Sequence, residues 1–264
     1  MSGAKTKTTG MSGTRQASGT ERVLTVLACF SADRPTLTLS EISRLAALPL
    51  TTAHRKVGEL ARWGALERDE AGRYRIGLRL WEIGALAPRS LGLREAALPF
   101  LEDLYEVTHE NVQLTVLDGP QVVYVERICG PRAVHVVTRP GSRLPAHATA
   151  GGLVLLAQAG PEAVDAVLAG PLKRYTEHTV TDPARLRRML ADARQTGYAI
   201  CDRQIETVSV SVAAAIYDGR RTAVAALSIV VAAGGPGARR YLPAVLAAAR
   251  GISRRLAAGP PGET

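Results

Sequence analysis

The spacing of apolar residues changes once along this 264-residue chain, and that change limits the folds it can adopt. Up to about residue 108, apolar residues recur every three or four positions, which is typical of amphipathic helices. From residue 111, stretches such as NVQLTVLDG and QVVYVERI alternate apolar and polar residues, which is typical of strands. The chain is therefore expected to have an α+β organisation, with a helical N-terminal part and a mixed C-terminal part.

Three short helices are expected between residues 20 and 64. The first covers ERVLTVLACF, and the second covers EISRLAAL with Ser40 as its N-cap. Pro49 breaks the second helix, and Thr51 is the expected N-cap of a third helix that ends at Gly64. Two short helices joined by a tight turn, the second strongly amphipathic, predict a helix-turn-helix.

A β-hairpin is expected directly after these helices, because ALERD and RYRIG flank the turn EAG. A hairpin at that position is a wing, so residues 20–77 are expected to form a winged helix-turn-helix domain. The next stretch, LRLWEIGALA, is apolar on every side of a helix. Residues 78–92 are therefore expected to form a connector helix that packs against another surface, such as a second subunit.

Basic charge is concentrated at the N-terminal end of the chain. The net charge is +9, and residues 1–90 hold 14 basic and 8 acidic side chains, which is a net charge of +6. This asymmetry favours a polyanion-binding N-terminal part. Residues 1–19 are rich in Ser, Thr and Gly with three basic side chains and are expected to form a disordered tail, and residues 259–264 a flexible one.

The outer face of the third helix is expected to enter the major groove of double-stranded DNA. Hydroxyls near its start suit phosphate and base edges, arginines suit guanine or phosphate, and the wing arginines suit the backbone or the minor groove. The residues expected to bind DNA are Ser40, Thr51, Thr52, His54, Arg55, Lys56, Glu59, Arg62, Arg73 and Arg75. A solvated basic helix beside a surface hairpin is the alternative, which the ordered combination of helices, glycine stop and basic hairpin disfavours.

The C-terminal part is expected to be a mixed sheet flanked by helices, an arrangement that can enclose a small-molecule pocket. Alternation predicts strands over NVQLTVLDG, QVVYVERI, AVHVVTR, YAICD, SVSVAAAIYD and TAVAALSIVVA. Helical spacing predicts helices from about Arg94 and over AGGLVLLAQ, PEAVDAVLA, DPARLRRMLADARQTG and YLPAVLAAARGISRRLAA. Asp182 is the expected N-cap of the fourth of these helices.

Taken in order, several stretches resemble the IclR family of bacterial transcriptional regulators: LSEISRLAALPLTTAHRKVGELARWGALERDEAGRYRIGLRLWEIG, GSRLPAHATAGG, TGYAICD and VAAAIYDGRRTAVAALSI. The likeness covers roughly residues 20–257. It implies a regulator that binds a pseudo-palindromic operator as a homodimer or homotetramer. It also implies that residues 93–258 form a GAF-like domain in which a small-molecule effector modulates DNA binding or transcription.

The resemblance also implies where the effector binds. The matching residues are Ala150, Gly151, Cys201, Asp202, Ser211, Ser228 and Val230. Free N–H groups where a helix begins at Ala150 suit a carboxylate. The chain departs from the family pattern, since an acidic residue is common at Cys201 and a polar one at Val230, while Gly is usual at Val208 and Pro at Ala215. These departures predict a less polar pocket and an effector larger or more apolar than a small keto acid, namely a carboxylate with an apolar part.

Two other functions stay open at the level of the sequence. A nucleoid-type binder with little sequence preference would be basic, but it would not need the large C-terminal part. An enzyme could use Cys201 as nucleophile and His147 as base, but no third residue orients His147. A redox-sensing Cys201 would require an accessible thiol of low pKa. We therefore expect a protein without enzymatic activity.

Cofactors and metals are not expected, because nothing in the chain resembles a phosphate loop or a zinc site. The three cysteines stand far apart and are odd in number, which argues against a disulfide framework. No apolar run is long enough to span a bilayer. A cytoplasmic protein without contact to a membrane is the expectation.

Overall fold

A computed structural model describes residues 18–31, 33–87, 91–235 and 237–258. The chain divides into two compact units, residues 1–86 (the N-terminal unit) and residues 87–264 (the C-terminal unit). The two predicted tails lie outside the described residues, apart from Ser18 and Gly19. These two residues start the first helix, so the predicted tail extends two residues too far.

The N-terminal unit is a winged helix-turn-helix, as the sequence predicted. Its helices are α1 (Gly19–Ala28), α2 (Leu39–Leu45), α3 (Leu50–Trp63) and α4 (Leu78–Ala85). Its antiparallel sheet has the order β1-β3-β2, with β1 at Thr36–Leu37, β2 at Leu66–Arg68 and β3 at Tyr74–Ile76. Gly64 ends α3 in the left-handed conformation with a φ of 88°, which explains why glycine stands there.

The core of the N-terminal unit is formed where the three helices meet the wing. Val26 of α1, Ile42 of α2, Val57 of α3 and Leu66 of β2 are all fully or almost fully buried in one cluster. Burial of each such side chain stabilises the fold by about 1.5–3 kcal/mol. The face of α3 that carries Val57 is therefore committed to the core, which leaves its opposite face to solvent.

The starts of α2 and α3 differ from the prediction. Thr38, not Ser40, is the N-cap of α2: its hydroxyl accepts from the backbone N–H of Glu41, and the Glu41 carboxylate accepts from the backbone N–H of Thr38. This reciprocal capping box satisfies two N–H groups at once, which the lone hydroxyl of Ser40 could not do. Helix α3 begins at Leu50 after Pro49, so Thr51 lies inside its first turn and is not a cap.

The C-terminal unit contains one six-stranded antiparallel sheet with helices on both faces. The strands lie in the order β6-β5-β4-β9-β8-β7. Their bounds are β4 Asn111–Asp118, β5 Gln121–Ile128, β6 Arg143–Pro145, β7 Tyr198–Asp202, β8 Ser209–Tyr217 and β9 Ala223–Ala232. The helices are α5 Leu91–Thr108, α6 Ala150–Gln158, α7 Pro161–Ala169, α8 Pro183–Thr196 and α9 Leu242–Ala257. Asp182 caps α8, as predicted.

The two faces of this sheet bury separate cores. Helices α5 and α9 pack on one face, where Leu101, Leu114 and Ile252 are fully buried. Helix α6 packs on the other face, and eight of its nine residues are buried. Because α6 is apolar on all sides, it lies inside the unit rather than along its surface. Among the described residues, no helix has both the length and the apolar composition needed to cross a membrane.

The predicted strand AVHVVTR is wrong, because residues 133–139 join no sheet. The third strand of this region is β6, which begins ten residues after the start of the predicted strand and pairs with β5. Side chains replace a strand partner here: Asn111 donates to the carbonyl of Val134, and Arg127 donates to the carbonyl of Thr138. Val136 and Thr138 are buried. The alternation of apolar and polar residues therefore arises because one side of this segment faces the core, although its backbone forms no ladder of hydrogen bonds with a strand.

We expect Gly77→Ala to lower the free energy of unfolding of the N-terminal unit by about 1–3 kcal/mol, because overpacking of a tight contact costs that much. A Cβ at position 77 would meet the carbonyl oxygen of Gly64. Trp63 and Trp81 are the only tryptophans of the chain, so urea unfolding followed by tryptophan fluorescence reports on this unit.

The matched control is Gly84→Ala in α4, where a Cβ would have no heavy atom within 4 Å. It should leave stability unchanged or raise it by up to about 1 kcal/mol through helix propensity. Equal urea midpoints for the two variants would show that the contact between Gly77 and Gly64 is not tight.

Candidate DNA-binding surface and effector pocket

Helix α3 presents a polar and basic face to solvent. Its inner residues, among them Ala53 and Val57, are buried in the core. Opposite them, Thr51, His54 and Arg62 are exposed, and the side chain of Arg55 is 60% exposed. Thr52 is half-buried, and Ser40 is exposed in the first turn of α2. The exposed face is long enough to contact several successive base pairs in a major groove.

Glu59 holds the two cations that precede it on α3. Its carboxylate lies 2.8 Å from a guanidinium nitrogen of Arg55 and 2.7 Å from Nζ of Lys56. The hydrogen bond from Lys56 is the main cause of the lowered pKa of Glu59. Lys56 is only 8% exposed, so its predicted place on the outer face is wrong. Its long side chain packs along the helix to reach Glu59 instead of pointing to solvent.

The two wing arginines differ in their surroundings. The side chain of Arg73 is 37% exposed and donates to the carbonyl oxygen of Thr36 at 3.0 Å, with Glu41 3.3 Å away. Arg73 therefore ties the wing to β1 and to the start of α2. The side chain of Arg75 is 59% exposed and lies 2.9 Å from a carboxylate oxygen of Glu67. Surface pairs of this kind contribute little stability, so Arg75 can exchange Glu67 for a phosphate at small cost.

The first turn of α4 is attached to the end of α3. A guanidinium nitrogen of Arg79 donates to the carbonyl oxygen of Trp63 at 3.0 Å, and the guanidinium lies 4.4 Å from the centroid of the Trp63 ring. The backbone N–H of Leu78 donates to Glu67 at 3.0 Å, which is the main cause of the lowered pKa of Glu67. These contacts attach the start of the connector to α3 and to the wing.

A cavity opens between the sheet of the C-terminal unit and the start of α6. Six of the seven effector residues implied by the resemblance line it, namely Ala150, Gly151, Cys201, Ser211, Ser228 and Val230. Asp202 does not line it, because successive residues of a strand point to opposite faces. Asp202 borders a neighbouring cavity and pairs with Arg203 at 2.8 Å. The free volume of the pocket is about 50 Å³.

Several polar residues of this pocket were missed from the sequence. Asn111, Gln113 and Thr115 alternate along β4 and are almost fully buried. The amide of Gln113 donates to the hydroxyl of Thr138 at 2.6 Å, and Gln113 and Thr115 line the pocket. Polar residues at every second position of an otherwise apolar strand could have indicated the pocket from the sequence. Such residues are buried only where they find hydrogen-bond partners.

The start of α6 forms one wall of the pocket. Thr149 caps the helix by accepting from the backbone N–H of Gly152 at 3.2 Å. A Cβ on Gly151 would lie 2.5 Å from the hydroxyl oxygen of Thr115, so only glycine allows the helix to approach β4 this closely. The first N–H groups of a helix lack partners within it and carry a partial positive charge. The wall therefore suits a carboxylate.

No lysine or arginine lines this pocket among the described residues, and Glu206 contributes a carboxylate. A carboxylate oxygen of Glu206 lies 3.4 Å from the backbone N–H of Val137. Burial is the main cause of the raised pKa of Tyr124, so this lining phenol stays neutral. The helix start thus contributes positive partial charge to the pocket lining, and Glu206 contributes a negative charge.

Neither His147 nor Cys201 has the surroundings of a catalytic group. Burial lowers the pKa of His147, and its Nε2 lies 3.1 Å from the carbonyl oxygen of Lys173. Burial raises the pKa of Cys201, whose sulfur lies 3.5 Å from the amide nitrogen of Gln204. A protonated thiol is a poor nucleophile and resists oxidation. The described part of the chain also brings no three His, Cys, Asp or Glu side chains together around a metal-sized site.

Both units match the models of known protein families. The family model of the IclR helix-turn-helix domain matches residues 19–70, and that of the bacterial transcriptional regulator IclR C-terminal domain matches residues 86–254. The chain is 34% identical to the regulator KipR of Bacillus subtilis, covering 74% of this chain and 79% of that protein. It is 32% identical to the glycerol operon regulatory protein of Streptomyces coelicolor, covering 93% and 98%.

One solved crystal structure has a fold similar to that of this chain over most of both chains. It is the crystal structure of an IclR homolog from Microbacterium hydrocarbonoxydans complexed with 4-hydroxybenzoate. The two chains are 41% identical with a TM-score of 0.86, and the match covers 90% of this chain and 98% of that one.

We expect one of the three thiols to react readily with Ellman's reagent in the native protein. Cys129 is exposed, whereas Cys29 and Cys201 are buried and burial raises the pKa of both. Counting the thionitrobenzoate released at pH 8, before and after unfolding in guanidinium, checks this. Cys129→Ser should abolish the fast phase, and rapid labelling of Cys201 would revive the redox-sensing alternative.

Proposed function

Because the chain belongs to the IclR family of bacterial transcriptional regulators, we propose that it binds a pseudo-palindromic operator as a homodimer or homotetramer under effector control. It is a regulator with a DNA-binding helix-turn-helix domain and a C-terminal effector-binding domain. The curated relatives it matches are transcriptional regulators, which confirms the expectation of a non-enzymatic protein. Operator binding would take place in the cytoplasm.

The exposed face of α3 is the observation that carries the DNA-binding part of this proposal. Arg55 lies at its centre and Arg62 at its end, both away from the core. In the free protein Arg55 is held by Glu59, an exposed pair that costs little to break. Arg55 can therefore turn to a guanine edge or a phosphate when the helix enters the groove. Lys56 and Arg73 serve the structure of the domain and contribute only general positive charge.

The apolar surface of α4 supports assembly into a dimer. None of the residues of α4 is buried within the chain, and Trp81 is 65% exposed. Leu78, Ile83 and Leu86 are also at least half exposed. An exposed apolar surface of this kind is a protein-interaction site. A second copy of α4 would cover it, and a two-fold axis there would set two α3 helices against two operator half-sites.

The effector is proposed to be a carboxylate with an apolar, hydrogen-bonding body. Its carboxylate would face the start of α6 at Ala150 and Gly151, and its far end would face Glu206. A hydroxyl at that far end could donate to Glu206, whereas a second carboxylate would be repelled there. Cys201 and Val230 make the wall between the two ends less polar than in the family pattern. The homolog that binds 4-hydroxybenzoate has a ligand of this chemical class.

Entry of such an effector requires the pocket to expand. Its free volume of about 50 Å³ lies well below the range of about 300–1,000 Å³ that small-molecule sites occupy. The effector would thus bind more tightly to a conformation in which the lining residues have moved apart than to the closed one. This difference in affinity is what would shift the equilibrium between the two conformations. The shift would reach the DNA-binding units through residues 78–92, whose first turn is attached to α3.

We expect Arg55→Ala to weaken operator binding at least about fivefold, because a bidentate contact to guanine contributes about 1–3 kcal/mol of discrimination and about 1.4 kcal/mol is tenfold. The operator is first selected from sheared genomic DNA with the purified protein, and affinity is then measured by fluorescence anisotropy at fixed salt. Arg188→Ala in α8 removes the same charge from an exposed position and should change affinity less than twofold.

The comparison with random DNA separates the possible outcomes. Loss restricted to the operator makes Arg55 a base contact, and equal loss on all sequences makes it a phosphate contact. An unchanged affinity would mean that α3 does not enter the groove. Salt-sensitive binding without any enriched sequence, with or without added metabolites, would favour a nucleoid-type protein.

We expect 4-hydroxybenzoate, and not pyruvate, to stabilise the protein against heat. A ligand at about 100 times its Kd adds about 2.7 kcal/mol, which raises the Tm of a domain this size by about 5 °C or more. Differential scanning fluorimetry measures the shift, and Ser211→Phe, which fills the pocket, should abolish it. Stabilisation by pyruvate alone would contradict the less polar pocket.

A further inference from the structure

We propose that the C-terminal unit carries a second ligand site, a groove between α9 and the end of β8 that binds an amphipathic organic anion. The groove has a volume of about 790 Å³, against about 50 Å³ for the effector pocket. That volume lies within the range of about 300–1,000 Å³ that small-molecule sites occupy. It shares no lining residue with the effector pocket, so this inference goes beyond the proposed function and does not depend on it.

The groove exists because two neighbouring strands differ in length. Strand β7 begins at Tyr198, opposite Ala214 of β8, so the last three residues of β8 extend past it. Helix α9 crosses behind this uncovered end, where the hydroxyl of Ser253 accepts from the backbone N–H of Tyr217 at 3.0 Å. The hydrogen bond holds helix and strand together, so the floor of the groove is preformed.

Three arginines border the groove and have no acidic partner. They are Arg221 in the turn between β8 and β9, and Arg250 and Arg254 one turn apart on α9. None of them forms an ion pair with a described residue. The single acidic residue of the rim, Asp218, uses its Oδ1 to accept from the backbone N–H groups of Arg220 and Thr222.

The turn between β8 and β9 fixes the backbone conformation of Arg221. Arg221 has a φ of 62°, a conformation that non-glycine residues rarely adopt. Its backbone N–H donates to the carbonyl oxygen of Asp218 at 3.0 Å, and the side chain of Asp218 binds the residues on both sides. The guanidinium is therefore carried at the rim by a turn with its own hydrogen bonds. The Nε of Arg250 donates to the carbonyl oxygen of Leu246 at 3.1 Å. Three guanidinium groups without an acidic partner around one cavity make a site for a carboxylate, sulfonate or phosphate.

The floor of the groove is apolar, which decides the class of ligand. Ala214, Ala215, Leu246 and Ala249 line it beneath the charged rim. Tyr217 adds a ring whose hydroxyl forms no hydrogen bond with another described residue. Burial raises the pKa of this phenol, so its hydroxyl remains a hydrogen-bond donor. An inorganic ion would leave this floor uncovered. An anion attached to an aromatic or acyl body would satisfy the arginines and cover the apolar surface together.

The basic charge around the groove is a property of the last part of the chain. Residues 218–258 contain seven arginines and one acidic residue, and no lysine. Arginine binds planar oxyanions through paired hydrogen bonds, while lysine acts as a point charge. The effector pocket, in contrast, has no cationic lining residue and offers only the start of a helix to an anion. Larger amphipathic anions therefore belong in the groove, and smaller carboxylates belong in the pocket.

Isothermal titration calorimetry of the full-length protein with 2-naphthalenesulfonate tests this proposal. Binding of one anion per chain in the groove is expected, and Arg250→Gln/Arg254→Gln should raise the Kd at least tenfold. The control Arg188→Gln/Arg255→Gln removes two exposed arginines outside the groove and should change the Kd less than twofold. The neutral 2-naphthalenesulfonamide should bind at least tenfold more weakly than the sulfonate.

Ser211→Phe separates the two sites, since it fills the effector pocket and should leave the Kd for the sulfonate within twofold. Loss of binding in that variant would place the sulfonate in the effector pocket and overturn the proposal. Equal Kd values for the two arginine pairs, or no saturable heat up to 1 mM ligand, would also overturn it. The arginine pairs are surface changes and decide the question even if Ser211→Phe does not fold. Operator binding is measured separately, so failure of either proposal leaves the other standing.

Discussion

The burial of α6 against the sheet is the constraint on which the C-terminal unit depends. Eight of its nine residues are buried, so packing on all sides holds the helix and its start in place. Gly151 allows that start to touch β4, where a Cβ would meet the hydroxyl of Thr115. The result is a row of helix N–H groups held against a polar strand face inside an apolar unit. The proposal that this pocket binds a carboxylate rests on this packing and needs no basic side chain.

Carboxylates organise the N-terminal unit in a similar way. Glu41 caps α2 and accepts from Arg73, Glu59 holds Arg55 and Lys56, and Glu67 accepts from Arg75 and from the start of α4. Each acid therefore positions cations of a strongly basic unit while DNA is absent. Exposed pairs of this kind are cheap to break, so Arg55 and Arg75 can change partners, whereas the less exposed Arg73 and Lys56 stay with the fold.

The effector pocket and the groove beside α9 offer different surroundings to an anion. The effector pocket offers partial charges on peptide N–H groups, a wall of small side chains and one carboxylate. The α9 groove offers three full charges over an apolar floor, in a space many times larger. Full charges on an exposed rim attract anions over a distance set by salt, while helix N–H groups act only on a ligand already inside. Size, charge and desolvation thus separate the two proposed ligand classes.

The sequence by itself determined the two-part organisation, the winged helix-turn-helix, the family, and the outer position of Arg55 and the inner position of Val57. These follow from periodicity, glycine and proline positions and ordered motifs, all of which are local. The tertiary structure alone decided which residue caps α2, that Lys56 and Arg73 bind carboxylates, and that residues 133–139 form no strand. It also assembled Gln113, Tyr124 and Glu206 around Gly151, and Arg221 beside Arg250 and Arg254. Each of these depends on which groups from distant parts of the chain satisfy a hydrogen bond or a charge, and no local pattern carries that information.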